Sequence, residues 1–188
     1  MNLMQSAVDH DKQELFRLLK EKAFSRGKFI LSSGKESSYY LDARLVTLSA
    51  AGAYFGARLL LDAIKEDRPD AIGGPTLGAD PLVGAIASLS HQQGMPINTF
   101  IIRKTPKAHG KQQQVEGPVF KEGQSVVIID DVATTGMAFV ESIEVLQKLN
   151  IRIQAAICLI DRGEGAREAL TKYNVPLKSI FSIREFLE

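Results

Sequence analysis

Val126-Val-Ile-Ile-Asp-Asp-Val-Ala-Thr-Thr-Gly136 decides how this chain is read. Four β-branched apolar residues in a row predict a strand with no polar face, the pattern of a parallel sheet covered on both sides. Two adjacent acids end the run. A small, hydroxyl-rich turn follows, and a helix is predicted from about Met137 to Leu149. Backbone N–H groups at a helix start lack intrahelical acceptors and carry partial positive charge, so such a turn suits a phosphate. The helix dipole contributes only about 0.3–1 kcal/mol at an exposed end, too little to hold a polyanion unaided. Taken alone, the turn reads equally well as an ordinary capped helix. The acids shift that balance. Carboxylates accept hydrogen bonds from a sugar diol and can hold Mg²⁺ directly or through its waters.

Outward from this stretch, apolar strands alternate with helical patterns. Ala71-Ile72, Ile97–Ile102 and Ile153–Ile160 read as strands. Helices are predicted over Asp11–Glu21, over Ala50–Lys65 with Ser49 as its cap, up to about Gln93, and over Ala166–Tyr173. Repeated βαβ units imply an α/β fold with a parallel sheet, whose ligands bind beyond the carboxyl ends of the strands. Phe29–Leu31 and Tyr39–Leu41 flank a polar turn and read as two short strands. The segment Arg103–Gly117 is polar and reads as a long loop, which in a compact domain is usually a functional lid or disordered.

Bulk properties exclude several classes. The 188 residues suit one domain, 45% hydrophobic and 24% charged, with a net charge of +1. That balance gives no strong pull toward nucleic acid or an anionic membrane. No apolar run approaches the roughly 20 residues of a membrane span, and a cytoplasmic protein is expected. Cys158, the single cysteine, sits in an apolar strand and reads as a core thiol. Charge is nevertheless uneven. Pro81 to Val115 contains no Asp or Glu, yet holds Arg103, Lys104, Lys107 and Lys111 with His91 and His109. A local cationic field in a near-neutral protein points to a small anionic ligand.

With these residues in place, Val126–Gly136 resembles the phosphoribosyl-pyrophosphate (PRPP) motif of type I phosphoribosyltransferases. Three further segments resemble the orotate phosphoribosyltransferase family: Phe29–Tyr40 its N-terminal substrate segment, Arg103–Lys111 its catalytic loop, and Asp161-Arg-Gly-Glu-Gly-Ala166 its Asp-Arg segment. The resemblance spans about Phe29 to Ala166. It implies the type I phosphoribosyltransferase fold, a central parallel sheet flanked by helices with a small hood from the N- and C-terminal segments. The whole chain, 1–188, would be one such domain, with hood segments near 20–45 and 162–188, a core near 46–161, and a mobile lid near 103–117.

The implied reaction transfers the ribose 5-phosphate of PRPP to orotate, giving orotidine 5′-monophosphate and pyrophosphate, with Mg²⁺ held mainly by PRPP and water rather than by assigned protein ligands. Thr134, Thr135, Gly136, Met137 and Ala138 would cradle the 5-phosphate, with Val132 and Ala133 in the same motif. Asp130 and Asp131 would hold the ribose hydroxyls and face charge developing at C1. Arg103, Lys104, Lys107 and His109 would close on the pyrophosphate, Lys104 and His109 with catalytic roles. Arg162 would pair with the orotate carboxylate, its bland alternative being an ion pair with Glu164. Thr134 would also reach the base, as would the backbone near Tyr40 and Leu41. The resemblance further implies a homodimer whose basic loop serves the neighbouring site.

Two positions depart from the family pattern. Ser32 and Gly78 stand where many members have lysine, and no role is readable for Asp80. Alternatives are a transferase for a purine base, against which the Asp161-Arg162 segment argues, and a non-catalytic PRPP-binding regulator.

Overall fold

The computed structural model describes residues 3–30, 34, 36–106 and 114–188. A six-stranded sheet runs β5-β4-β3-β6-β7-β8, built from β3 (Ala71–Pro75), β4 (Asn98–Ile102), β5 (Val115–Glu116), β6 (Ser125–Ala133), β7 (Arg152–Asp161) and β8 (Leu177–Ser182). Every pairing is parallel except that of the edge strand β5 on β4.

Side-chain alternation along the strands explains why both faces are covered. Val127 and Ile129 of β6, with Ile157 and Leu159 of β7, share one core with α1 (Leu3–Lys22), the short α2 (Arg44–Thr47), α3 (Ala50–Ala63) and α4 (Asp80–Gln92). Val126, Ile128, Ala156 and Cys158 face the other way. There they meet Phe139, Ile143 and Leu146 of α5 (Met137–Gln147) and Leu170 of α6 (Ala166–Thr171). Burial raises the Cys158 thiol far above its usual range, in keeping with a core role.

The connections fix where a ligand can sit. β3 runs through α4 to β4 on one side, and β6 runs through α5 to β7 on the other. Right-handed crossovers in opposite directions put α4 and α5 on opposite faces. The carboxyl ends of the adjacent strands β3 and β6 therefore diverge into a crevice.

Beside the main sheet, β1 (Phe24–Ile30) and β2 (Glu36–Leu41) form an antiparallel pair. Phe24 ties it to the body: its ring lies 5.9 Å from that of Phe186 in α7 (Arg184–Leu187), which lies 4.7 Å from Phe16 of α1. Arg26 adds a hydrogen bond to the carbonyl of Leu187. Segment 162–188, expected in the hood, divides between two places. β8 completes the main sheet beside β7, and α7 reaches the β1–β2 pair.

Two strand boundaries differ from expectation because partner strands override local sequence. β6 was expected to end at Ile129 but continues through both acids, because Asp130, Val132 and Ala133 find register partners in Cys158, Ile160 and Asp161. The polar segment after Arg103 contains a short strand, since Val115 and Glu116 pair with Ile102 and Ile101. The first helix begins at Leu3 rather than Asp11. Ser49 caps α3 as expected, its hydroxyl accepting from the Gly52 N–H at 3.2 Å. Among the described residues no helix is long and apolar enough to cross a membrane.

Candidate active site

The crevice opens as a cleft of about 330 Å³ walled by the ends of β3 and β6, the first turns of α5, the stem after β4, and the segments around Leu41 and Arg162. Asp130 and Asp131 lie on its floor. Each carboxylate accepts from the next backbone N–H: Asp131 N to Asp130 Oδ1 at 2.9 Å, and Val132 N to Asp131 Oδ1 at 2.8 Å. Strand and backbone together fix both groups. Burial, and then the neighbouring Asp131 charge, pushes the Asp130 carboxyl well above its usual range. Burial also raises Asp131, opposed by nearby Arg44.

A third acid sits close by. Asp80 opens α4, and its Oδ1 is buried with no hydrogen-bond partner among the described residues. Burial raises its pKa, and its charge adds to the rise at Asp130. Three acids crowded in one place, with Arg44 opposing the rise only at Asp131, suit a ligand that brings or develops positive charge.

The turn from β3 to α4 lies directly on this pair. A Cβ added to Gly78 would stand 2.0 Å from Asp130 Oδ1 and 2.6 Å from Asp131 Oδ1. A side chain there would have to move the acids.

Across the floor, Thr134 and Ala138 wall the cleft. No side chain caps α5, so its first-turn N–H groups remain available to an anion. Gly136 takes φ 83°, but its close approach is to α6. A Cβ there would lie 2.9 Å from Ala166 Cα. Its freedom thus serves the turn and the close packing of α6. Ala133 is in the core, while Thr135 and Met137 are exposed and not among the cleft walls.

Arg103 and Lys104 enter from the stem after β4. Arg103 N donates to Gln114 O at 2.8 Å, and its guanidinium lies 3.5 Å from Glu116, so the ladder onto β5 anchors the stem. Lys107 and His109 lie outside the described residues, as does Ser32.

At the far end, Arg162 walls the cleft, and its backbone N–H donates to Ala133 O at 2.9 Å. Its guanidinium makes the anticipated ion pair with Glu164 at 2.8 Å and donates from Nε to the Tyr39 hydroxyl at 3.1 Å. Leu41 also lines the cleft. Tyr40 does not; its ring packs against Phe29 at 5.6 Å. Sequence reasoning passed over Tyr39, Asp42 and Arg44. Asp42 and Arg44 both line the cleft, Arg44 donating from Nε and Nη2 to the two Asp42 oxygens at 2.9 and 3.1 Å. That fork lowers the Asp42 pKa. Opposite charges two residues apart after a strand were the available signal.

The phosphoribosyl transferase domain family matches residues 51–186 of this sequence. An orotate phosphoribosyltransferase of Rhodopirellula baltica is 39% identical over 186 residues, covering 96% of each chain. The chain belongs to the orotate phosphoribosyltransferases of this family. A second such relative, from Aquifex aeolicus, is 37% identical over 94% of this chain and 98% of its own. The Mycobacterium tuberculosis orotate phosphoribosyltransferase superimposes with a TM-score of 0.82 at 32% identity, covering 94% of this chain and 98% of that one. A structure of the same enzyme in complex with PRPP gives 0.79 at 28% identity, covering 95% and 99%. An adenine phosphoribosyltransferase of Thermoanaerobacter pseudethanolicus, 17% identical with a TM-score of 0.65, shares the fold alone; it covers 89% of this chain and 99% of that one.

Proposed function

We propose that this cleft transfers the ribose 5-phosphate of PRPP to orotate, giving orotidine 5′-monophosphate and pyrophosphate in pyrimidine biosynthesis. One observation carries the reading. A single crevice joins a buried acid pair, a helix-start turn, a basic stem and a nearly buried arginine.

Each region suits one part of the substrates. The 5-phosphate goes to the N–H groups between Thr134 and Ala138. The ribose diol goes to Asp130 and Asp131. As the bond from C1 to pyrophosphate breaks, positive charge gathers on the ribose, where two fixed carboxylates favour it without reorganising. Arg103 and Lys104, with Lys107 and His109 further along the same loop, neutralise the departing pyrophosphate. Arg162 takes the orotate carboxylate, and the backbone at Leu41 borders the base. A cation at the base end favours a carboxylate-bearing pyrimidine over a neutral purine.

The donor set fits Mg²⁺. Among the described residues no group of three or more His, Cys, Asp or Glu could cage a metal. Mg²⁺ commonly uses one or two carboxylates, waters and substrate phosphates instead. Asp130 and Asp131 would hold it through water, and when bound it supplies positive charge beside the pyrophosphate. Burial raises both carboxyls, and at Asp130 the neighbouring Asp131 charge adds to it; a nearby cation would oppose that rise.

We further propose a homodimer in a cytoplasmic setting, with the basic loop serving the neighbouring site. Leu45, Leu48 and Tyr54, exposed within one short stretch of chain, are residues that subunit contact would cover. Mixing Lys104→Ala and Asp131→Asn subunits should restore part of the activity lost in each. Mixed dimers that form yet stay inactive would exclude shared sites. The primary test is spectrophotometric: orotate consumption that requires both PRPP and Mg²⁺. Turnover of a purine base without turnover of orotate would defeat the reading.

A further inference from the structure

Arg162 is held by two partners of unlike firmness. Its side chain is only 11% exposed although it walls the cleft. Tyr39 accepts from Nε at 3.1 Å and places its ring centre 5.0 Å from the guanidinium carbon. Tyr39 is itself fixed, stacked on Phe24 at 5.7 Å and 27°. Glu164 is the second partner, 2.8 Å from Nη2, and its side chain is 39% exposed. It stands between Gly163 and Gly165, at φ 66° and 106°, on a turn whose backbone is held at Gly163 N by Asp161. Among the described residues Nη1 has no protein acceptor.

An unpaired, nearly buried guanidinium is costly, so the empty enzyme needs a negative partner for Arg162. A partner that never left would compete with any anionic substrate. Glu164 satisfies both conditions. It covers the charge, and because its own carboxylate is partly exposed the pair can exchange. Its carboxylate is the same functional group that orotate carries.

We propose that Glu164 is a stand-in carboxylate. It occupies Arg162 while the base site is empty and yields it to the carboxylate of the incoming pyrimidine. Tyr39 acts as a positioning residue that keeps the guanidinium in place through the exchange. This rests on the reading of Arg162 as the orotate contact. The consequence is selective. A base with a carboxylate replaces one ion pair by another, whereas a pyrimidine without one leaves the Arg162–Glu164 pair standing.

The test compares kcat and both KM values in the full-length protein, backed by equilibrium titration with orotate. Glu164→Gln should lower KM for orotate about two- to fivefold, the range of a partly exposed ion pair, and leave KM for PRPP unchanged. Glu168→Gln removes the same charge from α6 and should change neither. Tyr39→Phe should raise KM for orotate about tenfold, the loss of one hydrogen bond to a charged group, with KM for PRPP unchanged. Uracil binding should be insensitive to Glu164→Gln. An unchanged or raised KM for orotate in Glu164→Gln overturns the stand-in role. So does an equal fall in KM for PRPP, which would mark a general charge effect. Arg162→Ala separates the two levels of the argument. If it raises KM for orotate steeply while Glu164→Gln does not lower it, the stand-in fails and the base site survives. If it leaves KM for orotate unchanged, the base-site reading itself fails.

Discussion

The two ends of the cleft hold opposite charges by opposite means. Asp130 and Asp131 belong to a central strand, and the adjacent backbone N–H groups grip their carboxylates. Nothing outside the strand is needed to aim them. Arg162 lies just past the end of β7, and its guanidinium is aimed by Tyr39 from the β1–β2 pair and by Glu164 from its own turn. The turn in turn depends on Asp161, whose carboxylate accepts from Gly163 N at 2.8 Å and from Arg167 Nε at 2.9 Å. The difference follows the chemistry. Charge that develops in the transition state rewards a rigid, costly placement, because groups already oriented need no reorganisation. A substrate charge present before reaction can be met by a group that changes partners.

The contrast can be broken most severely at the acids. Asp131→Asn should lower kcat by about 10²–10³-fold, the scale of losing one preorganised electrostatic group, with little change in KM for orotate. Steady-state kinetics in excess Mg²⁺ would measure it; a loss confined to KM for orotate would contradict the assignment. Next comes Gly78→Ala. Its Cβ collides with Asp130 Oδ1, so the acids must shift, and displacement on the order of 1 Å costs about 10²-fold in rate. Wild-type rates in that variant would show that the acids need not be so placed. Arg162→Ala should act on the other end alone, raising KM for orotate by about tenfold or more through loss of a charged contact, with KM for PRPP retained.

The smallest expected effect is on stability. The Asp130 and Asp131 pKa values are raised in the folded protein above the ordinary carboxyl value of 3.8. Between that value and the raised native ones, the folded state binds more protons than the unfolded. The stability of the unliganded protein should therefore fall as pH rises through this window. Asp130→Asn should flatten that slope. A gain of about 1 kcal/mol at neutral pH would raise Tm by about 2–4 °C in a domain of this size. Thermal unfolding across pH checks both, and a steeper slope in the variant would refute the charge-crowding account.

Much of this was legible in the chain itself. The apolar run Val126–Ile129 predicted a strand buried on both faces, and its side chains do divide between the two cores. Asp130, Asp131, Thr134, Arg103 and Lys104 were named from local pattern and Arg162 through the family resemblance, and all wall one cleft. Strand ends were less legible, because a strand continues as long as a neighbour offers backbone partners. β6 therefore runs to Ala133, and Val115–Glu116 pairs at the sheet edge. The packing of Gly136 against α6 was not legible, because Ala166 lies 30 positions further along the chain. Tyr39 was invisible as a site residue because its partner lies 123 positions away.

Sequence alone therefore determined which chemical groups this protein can bring to a reaction. It placed them at strand ends, because strand periodicity, helix starts and charge distribution are local properties of the chain. Tertiary structure decided what those groups face. The switch between β3 and β6 opened the cleft, and the closeness of the Gly78 turn to the acids left no room for a side chain. The β1–β2 pair carried Tyr39 to Arg162. These are meetings between distant segments, set by how twisted strands and their covering helices pack, and no window of sequence contains them.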